Sequence, residues 1–303
     1  MRKVPANDYK LYIPWARQNT ANNVYPCSIA EGLQPGDIYV NDGPQIDAAF
    51  FWHYCGFGYI SGKPSYQMLN DIYEKMTSSH SERRLVLITS DDDVTAFFRG
   101  KDVQMDCRAE YTYHPEAKNQ ATVNAAESTQ FHIEQINPAN ISRIHGRIIP
   151  SFSWDSPTQF LRHGFGYVAL DRENVCAVAF SAAVSSDQID IGVETHEVYR
   201  RKGLAAMLTN CMCATIVQKG KTPVWAHAAS NKGSMNTALK CGFVQDRIYT
   251  VIRKRKEGAK GYHTLCPVLS VLSYVLWTTA LTGMIKVIAF VIRCGPRTGG
   301  AKH

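Results

Sequence analysis

Residues 192–205 read GVETHEVYRRKGLA, and this stretch decides the fold of the chain around it. It starts in an apolar segment typical of a strand, passes through a basic turn and ends where a helical pattern begins. The apolar side of that helix comprises Leu204, Met207, Leu208, Cys211, Ala214 and Ile216. A strand, a glycine-containing turn and a helix start, in this order, form an arrangement that binds phosphate groups.

The turn before the helix is suited to a polyphosphate. If the helix starts near residue 204, the backbone N–H groups of residues 200–205 point into one concavity, and the helix dipole adds positive potential there. Gly203 lets the backbone approach a phosphate closely, and the small Ala205 leaves the next turn open. Three cations surround the turn, namely Arg200, Arg201 and Lys202. A solvated basic helix start would show the same residues, so the turn alone leaves both interpretations open.

The flanking pattern predicts an α/β unit with a mixed, mostly antiparallel sheet. Upstream, three apolar runs joined by hairpin-length turns predict an antiparallel meander at residues 167–170, 175–184 and 189–195. Downstream, residues 223–228 read as a strand, and a short helix and a final strand follow it. The basic turn therefore lies where a sheet meets a helix.

Two motifs resemble the cofactor elements of GNAT acetyltransferases. The pattern R-x-x-G-x-A at residues 200–205 is similar to the (Gln/Arg)-x-x-Gly-x-(Gly/Ala) element of that family. The pattern N-x-x-S at residues 231–234, with CGF at residues 241–243, resembles the second element. The sequences GRIIPSFSWD at residues 146–155 and ETHE at residues 194–197 resemble a bacterial subgroup with a large N-terminal extension. This subgroup includes acetyltransferases of the zwittermicin A resistance type.

The resemblance implies an α+β GNAT fold at residues 146–257, preceded by a smaller α/β domain at residues 1–145. It implies that acetyl-CoA is the co-substrate, lying in a V between the strand that ends near residue 195 and the strand at residues 223–228. An amine of a small molecule would attack the thioester directly in a ternary complex. The residues implied in cofactor binding are Val193, Thr195, Arg200, Arg201, Lys202, Gly203, Leu204, Ala205, Asn231 and Ser234. No metal ion is implied.

Glu194 and His196 are the candidate bases for the acceptor ammonium, because both lie on one side of an extended chain where the strand meets the turn. Glu194 would equally suit an ion pair with a neighbouring arginine, and His196 would equally suit a cap of the turn. Many GNAT enzymes carry a tyrosine acid seven residues after the asparagine, where this chain has Ala238. Tyr249 is a candidate substitute; otherwise the thiolate leaves unassisted.

The N-terminal half reads as mixed α/β and is the expected wall of the acceptor site. Residues 64–76 have helical spacing with Ser65 as the predicted cap, and residues 84–89 predict a buried strand. Three consecutive aspartates at residues 91–93 invite a metal hypothesis, but capping of the following helix explains them better, because no other ligand cluster accompanies them.

Residues 258–303 differ in character from the rest of the chain. Residues 264–285 carry no charged side chain and are long enough to span a bilayer, so a membrane anchor, a non-catalytic appendage and a non-native segment all stay open. The nine cysteines show no framework spacing, which favours a reducing cytoplasm. The net charge of +7 suits anionic ligands, but nucleic acid is disfavoured, since the basic residues lack interleaved aromatics.

Three functional interpretations remain from the sequence. The leading one is N-acetylation of a small-molecule amine. A protein or peptide N-acyltransferase is the alternative enzyme. The alternative that is not an enzyme is a GNAT scaffold that holds CoA without turnover, and the missing tyrosine favours it. The sequence specifies neither the acceptor nor the oligomeric state.

Overall fold

The computed structural model describes residues 1–19, 21–118 and 131–255. Within these residues twelve strands form one mixed, mostly antiparallel sheet. The strands are β1 (Arg2–Lys3), β2 (Gly36–Val40), β3 (Ala48–His53), β4 (Phe57–Gly62), β5 (Val86–Thr89), β6 (Val103–Tyr113), β7 (His132–Gln135), β8 (Gly166–Asp171), β9 (Asn174–Val184), β10 (Gln188–Thr195), β11 (Thr222–Ala228) and β12 (Phe243–Lys254). The predicted meander is confirmed as β8 to β10, and the strand predicted downstream of the basic turn is β11.

The helices of the described residues are α1 (Ile13–Arg17), α2 (Val24–Ala30), α3 (Tyr66–Thr77), α4 (Asp92–Phe98), α5 (Pro157–His163), α6 (Leu204–Gln218) and α7 (Lys232–Lys240). Two predicted caps are confirmed. The Ser65 hydroxyl accepts the Met68 N–H at the start of α3. The Asp91 carboxylate accepts the N–H groups of Asp93 and Val94 at the start of α4, so this acidic run serves the helix.

The order of the strands in the sheet is β1-β2-β3-β4-β5-β12-β6-β11-β10-β9-β8-β7. Each half of the chain contributes the same series: three antiparallel strands, a helix, a strand parallel to the third, a short helix and a long strand. In the first half the series runs from β2 to β6, and in the second half it runs from β8 to β12. The order from β2 to β8 is therefore a palindrome, as a repeated unit would produce.

The last strands of the two halves are exchanged. β6, from the first half, lies between β11 and β12, and β12 in turn pairs with β5 of the first half. Both halves thus share one sheet, and a separate N-terminal domain is not seen within the described residues. The expected boundary near residue 145 does not divide the sheet, because four strand pairs cross it: β5 with β12, β6 with β12, β6 with β11 and β7 with β8.

Helix α6 packs on the second half of the sheet, mainly through Leu204, Leu208, Met212 and Ile216. One detail of the predicted apolar side is wrong: Ala214 is exposed, whereas Met212 and Cys213 are buried. The helix is apolar on most of its circumference, so sequence spacing did not single out one side.

On the other face, α2 reaches across the halves. The Tyr25 hydroxyl donates to the fully buried Asp190 carboxylate of β10 at 2.7 Å, and the Asn22 amide approaches the same carboxylate at 3.4 Å. Burial raises the pKa of Asp190 to about 6. This polar contact fixes the first half against the strand that leads to the basic turn.

No helix of the described residues is long and apolar enough to cross a membrane. The candidate membrane segment at residues 264–285 lies outside the described residues, as does the whole of the expected appendage at residues 258–303.

Candidate active site

A cleft opens between β10 and β11. The two strands are parallel neighbours from Gln188 and Thr222 as far as Asp190 and Val224, where their pairing ends. Beyond this point β10 continues to Thr195 paired with β9 alone, while β11 continues paired with β6. A register irregularity at residues 190–191 of β10 coincides with the separation. A strand paired on one side turns every second backbone amide to the other side, so β10 offers free hydrogen-bonding groups to the cleft.

β10 leads into the predicted turn, which ends at an uncapped helix. Gly203 occupies the N-cap position of α6 with φ +82° and supplies no side-chain cap. A Cβ on Gly203 would meet no atom within 4 Å, so the space before the helix is open. Arg201 is also left-handed, at φ 64°. Residues 200–203 are exposed, and the first amides of a 15-residue helix therefore face solvent.

Two of the cations of the turn make contacts with neighbouring residues. The Arg200 side chain donates from Nε to the Thr195 carbonyl at 3.4 Å and lies 3.9 Å from the Glu197 carboxylate. The Lys202 ammonium lies 5.2 Å from the centre of the Tyr199 ring. These contacts are weak and solvent-exposed, so the cations are free to reorient toward an anion. Leu204 is buried and Ala205 is half-buried at the first turn of α6.

The second predicted element starts α7. The Asn231 side-chain oxygen accepts the Ser234 N–H at 3.1 Å, which makes Asn231 the cap of this helix. The Ser234 hydroxyl accepts the indole N–H of Trp225 on β11 at 3.2 Å. Ser234 is thereby tied to β11, one wall of the cleft. These bonds leave the Asn231 amide nitrogen as the group with which it would reach a ligand.

Glu194 is held by the loop that follows residue 145. Its Oε2 accepts the N–H of Arg147 at 2.8 Å and the N–H of Ile148. A Cβ on Gly146 would lie 3.0 Å from the Glu194 carboxylate, so glycine permits this close contact. The alternative ion pair of Glu194 with Arg200 or Arg201 is not seen within the described residues.

His196 is exposed, and its ring lies edge-on to Tyr199 with 6.2 Å between ring centres. The backbone N–H of His196 donates to the Cys176 carbonyl at 2.9 Å. A pocket of about 210 Å³ lies here, with His145, Cys176, Glu194, His196 and Arg200 among its lining residues. Glu194 and His196 thus share one pocket, although no hydrogen bond joins them. The roles assigned to the ten cofactor residues and to these two stay predictions.

Comparison with known proteins agrees with this geometry. The family model described as GNAT acetyltransferase matches residues 16–252. The chain belongs to this family. It is 24% identical over 230 residues to the uncharacterized N-acetyltransferase YdfB of Bacillus subtilis (strain 168), covering 74% of this chain and 87% of that protein. Because the match begins at residue 16, the GNAT relationship includes the N-terminal half, which the sequence motifs alone did not show.

Two solved structures show the same fold. A GCN5-related N-acetyltransferase-like protein from Streptococcus suis 89/1591 has a TM-score of 0.65 at 22% identity, covering 83% of this chain and all of that one. A tandem GNAT protein from the clavulanic acid biosynthesis pathway has a TM-score of 0.55 at 10% identity, covering 86% and 98%. The second likeness agrees with the repeated series of elements in the sheet.

Two carboxylates beside the cleft, those of Glu110 and Asp190, were missed by the sequence reasoning. Glu110 of β6 pairs in register with Ala226 of β11, beside the cleft, and burial raises the pKa of its carboxyl to about 7. The Tyr249 hydroxyl donates to Glu110 at 3.1 Å. Ala238 is fully buried, so helix α7 offers no acid at this position. For Asp190 the sequence did contain a signal, because a charged residue between two isoleucines interrupts the apolar pattern of this strand.

Proposed function

We propose that this protein transfers an acetyl group from acetyl-CoA to the amine of a small molecule. One observation carries the proposal: β10 and β11 part after Asp190 and Val224, and the free end of β10 leads to an exposed, uncapped and basic helix start. A cleft between strands suits an extended pantetheine arm, and a helix N-terminus with open space suits its phosphates. Family membership supports an acyl-CoA in this place.

In the first half, groups of the chain itself bond to two of the corresponding places. β4 and β5 part after Gly58 and Leu87, as β10 and β11 do in the second half. There the Asn19 amide donates to the Ile60 carbonyl at 2.9 Å. The helix that follows is capped by its own Ser65. Because this strand carbonyl and this helix start already have partners within the chain, we assign acetyl-CoA to the second half.

In this assignment the thioester lies in the cleft, where backbone groups at Val193 and Thr195 pair with the pantetheine arm and polarise the carbonyl. Asn231 and Ser234 hold the arm from the side of β11. Bound acetyl-CoA supplies the activated acyl group, and the protein supplies proximity, so the amine attacks directly without a covalent enzyme intermediate. Because Ala238 is buried, the thiolate leaves without an acid from α7, which its modest basicity permits.

The acceptor is proposed to be a small molecule. The loop at residues 146–155, which suggested the zwittermicin A resistance-type subgroup, is tied to β10 through Glu194 and lies at the pocket. β6 and α2 of the first half supply further residues beside the cleft, in keeping with an acceptor wall from that half. Acylation of a protein or peptide amine is the alternative enzyme activity, and a CoA-holding scaffold without turnover is the alternative of another class.

The test of the cofactor site is acetyl-CoA binding by the Gly203→Glu variant. A carboxylate at the helix start repels the phosphates and fills the open space, so we expect binding to fall by two orders of magnitude or more, roughly the loss of several charge-assisted hydrogen bonds. Titration calorimetry of the full-length wild type and variant with acetyl-CoA measures this change.

Gly220→Glu is the matched control. Gly220 follows the other end of α6, has φ +70° and also has no atom within 4 Å of an added Cβ. Both variants therefore carry the same charge and similar backbone strain, but only one of them lies at the proposed site. Equal losses in the two variants would contradict the assignment. Amine-dependent release of CoA by the wild type would separate an enzyme from an inert scaffold.

A further inference from the structure

Glu110 stands at the mouth of the proposed cleft, although it belongs to the first half of the chain. It pairs with Ala226, which is two residues beyond Val224, the last residue of β11 that pairs with β10. Adjacent strands lie about 4.8 Å apart, so Glu110 is within roughly two strand spacings of a thioester held between β10 and β11.

The Glu110 side chain lies on the face of the sheet opposite α6. Its neighbours Ala109 and Tyr111 are buried in the core that includes α6, and side chains alternate along a strand. Glu110 therefore projects from the opposite face. A cofactor whose phosphates bind at the N-terminus of α6 enters the cleft from the α6 side, which leaves the face of Glu110 for the amine.

One oxygen of the Glu110 carboxylate is oriented and the other is free. The Tyr249 hydroxyl donates to Oε1 at 3.1 Å, whereas Oε2 is buried and no described residue donates a hydrogen bond to it. The charged and titratable groups that face the carboxylate are Tyr249 and Arg247 on β12, Asp190 on β10 and Arg108 on β6. Burial raises its pKa to about 7, so near neutral pH the group both accepts and releases protons.

We propose that Glu110 is the general base that takes the proton from the acceptor ammonium. This inference rests on the proposed acetyl transfer. Oε2 accepts one proton from the ammonium, and the nitrogen lone pair then attacks the thioester carbonyl carbon. The C–S bond breaks, and the thiolate takes up the proton that the new amide nitrogen loses. Acetyl-CoA and the ammonium become the amide, CoA thiol and one proton, which Glu110 passes to solvent.

The other carboxylates beside the cleft are less suited to this task. Oε2 of Glu194 already accepts two backbone N–H groups of the 146–148 loop, so Glu194 positions that loop. Asp190 is fully buried and is bonded to Tyr25 and Asn22, which separate it from an acceptor. Glu110 combines an oxygen that accepts no hydrogen bond from the described residues with a place beside the cleft.

The experiment compares two nucleophiles that differ in their need for a base. Release of CoA thiol from acetyl-CoA is followed with n-propylamine, which is protonated at neutral pH, and with hydroxylamine, which is not. The proteins are the full-length wild type, Glu110→Gln and the surface control Glu82→Gln. We expect Glu110→Gln to lower the n-propylamine rate by about 10²-fold or more, the usual contribution of a general base. Its hydroxylamine rate should stay close to that of the wild type.

Glutamine keeps an oxygen for the Tyr249 hydroxyl, and calorimetry with acetyl-CoA checks that the variant still binds the cofactor. Loss of both rates with binding retained would overturn the inference, as would retention of both or a selective loss of the n-propylamine rate in Glu194→Gln instead. A wild type without amine-dependent release overturns it as well. In that case, retained acetyl-CoA binding means that the acceptor chemistry is wrong, and absent binding means that the proposed function itself is wrong.

Discussion

A chain reduced to residues 146–257 is expected not to fold, although it contains every GNAT motif of the sequence. The strand that separates β11 from β12 is β6, and it comes from residues 103–113. β6 is in register with β12 from Val103 to Tyr113 and with β11 from Arg108 to Thr112. Its removal leaves two central strand edges without partners and removes Ala109 and Tyr111 from the core.

Circular dichroism and amide dispersion in NMR spectra measure this expectation. Residues 1–257 should give a cooperative unfolding transition, and residues 146–257 should give an aggregated or unfolded chain. Co-expression of residues 1–145 with residues 146–257 should restore a folded complex, because the exchanged strands join the two pieces by pairing. A monomeric, folded fragment of residues 146–257 that binds acetyl-CoA would contradict the strand exchange.

The local parts of this structure followed from sequence because they depend on neighbouring residues. Each of the hairpins that join β8, β9 and β10, and each of the caps Ser65 and Asp91, depends on contacts between residues that are close in sequence. Short-range patterns report such features directly. The start of α6 and the place where β10 ends were accordingly predictable.

The order of strands was not predictable in this way. β6 contacts β11 across more than a hundred residues, and its alternating pattern would suit a place in any half-buried antiparallel sheet. The domain boundary expected near residue 145 therefore rested on motif density rather than on pairing. Glu110 and the loop donors of Glu194 were missed for the same reason, since each acquires its partner from a distant part of the chain.

The exchange of strands brings residues of the first half beside the cleft of the second. In each half, the strand beside the parted pair belongs to the other half: β6 lies beside β11, and β12 lies beside β5. Glu110 lies beside the cleft between β10 and β11 only because of this exchange. In the first half the Asn19 amide donates to the Ile60 carbonyl, whereas Glu110 of the same half is the base that we propose for the second. In our proposal the second half thus binds acetyl-CoA and the first half supplies the base.

Glu110→Gln is expected to stabilise the folded protein above neutral pH while it removes the proposed base. The pKa of Glu110 is about 7 in the folded protein and 4.5 in its ordinary state, so the folded protein binds this proton more tightly than the unfolded chain. As the pH rises from 4.5 to 7, the unfolded chain releases its proton first, and stability falls. A difference of this size corresponds to at most about 3 kcal/mol at pH 8. Glutamine does not titrate, so the free energy of unfolding of the variant lacks this decrease with pH.

Urea denaturation of the wild type, Glu110→Gln and Glu82→Gln at a series of pH values measures the effect. The gain of Glu110→Gln over the wild type should grow between pH 4.5 and 7 and then level off. Asp190, whose pKa is raised to about 6, adds a fall at lower pH to all three proteins, so the gain of Glu110→Gln is read against the wild type at each pH. Glu82→Gln, at an exposed site, should follow the wild type. A buried carboxyl that must ionise for catalysis costs stability once it is charged. A gain that does not change with pH would therefore contradict a raised pKa of Glu110 in the folded protein.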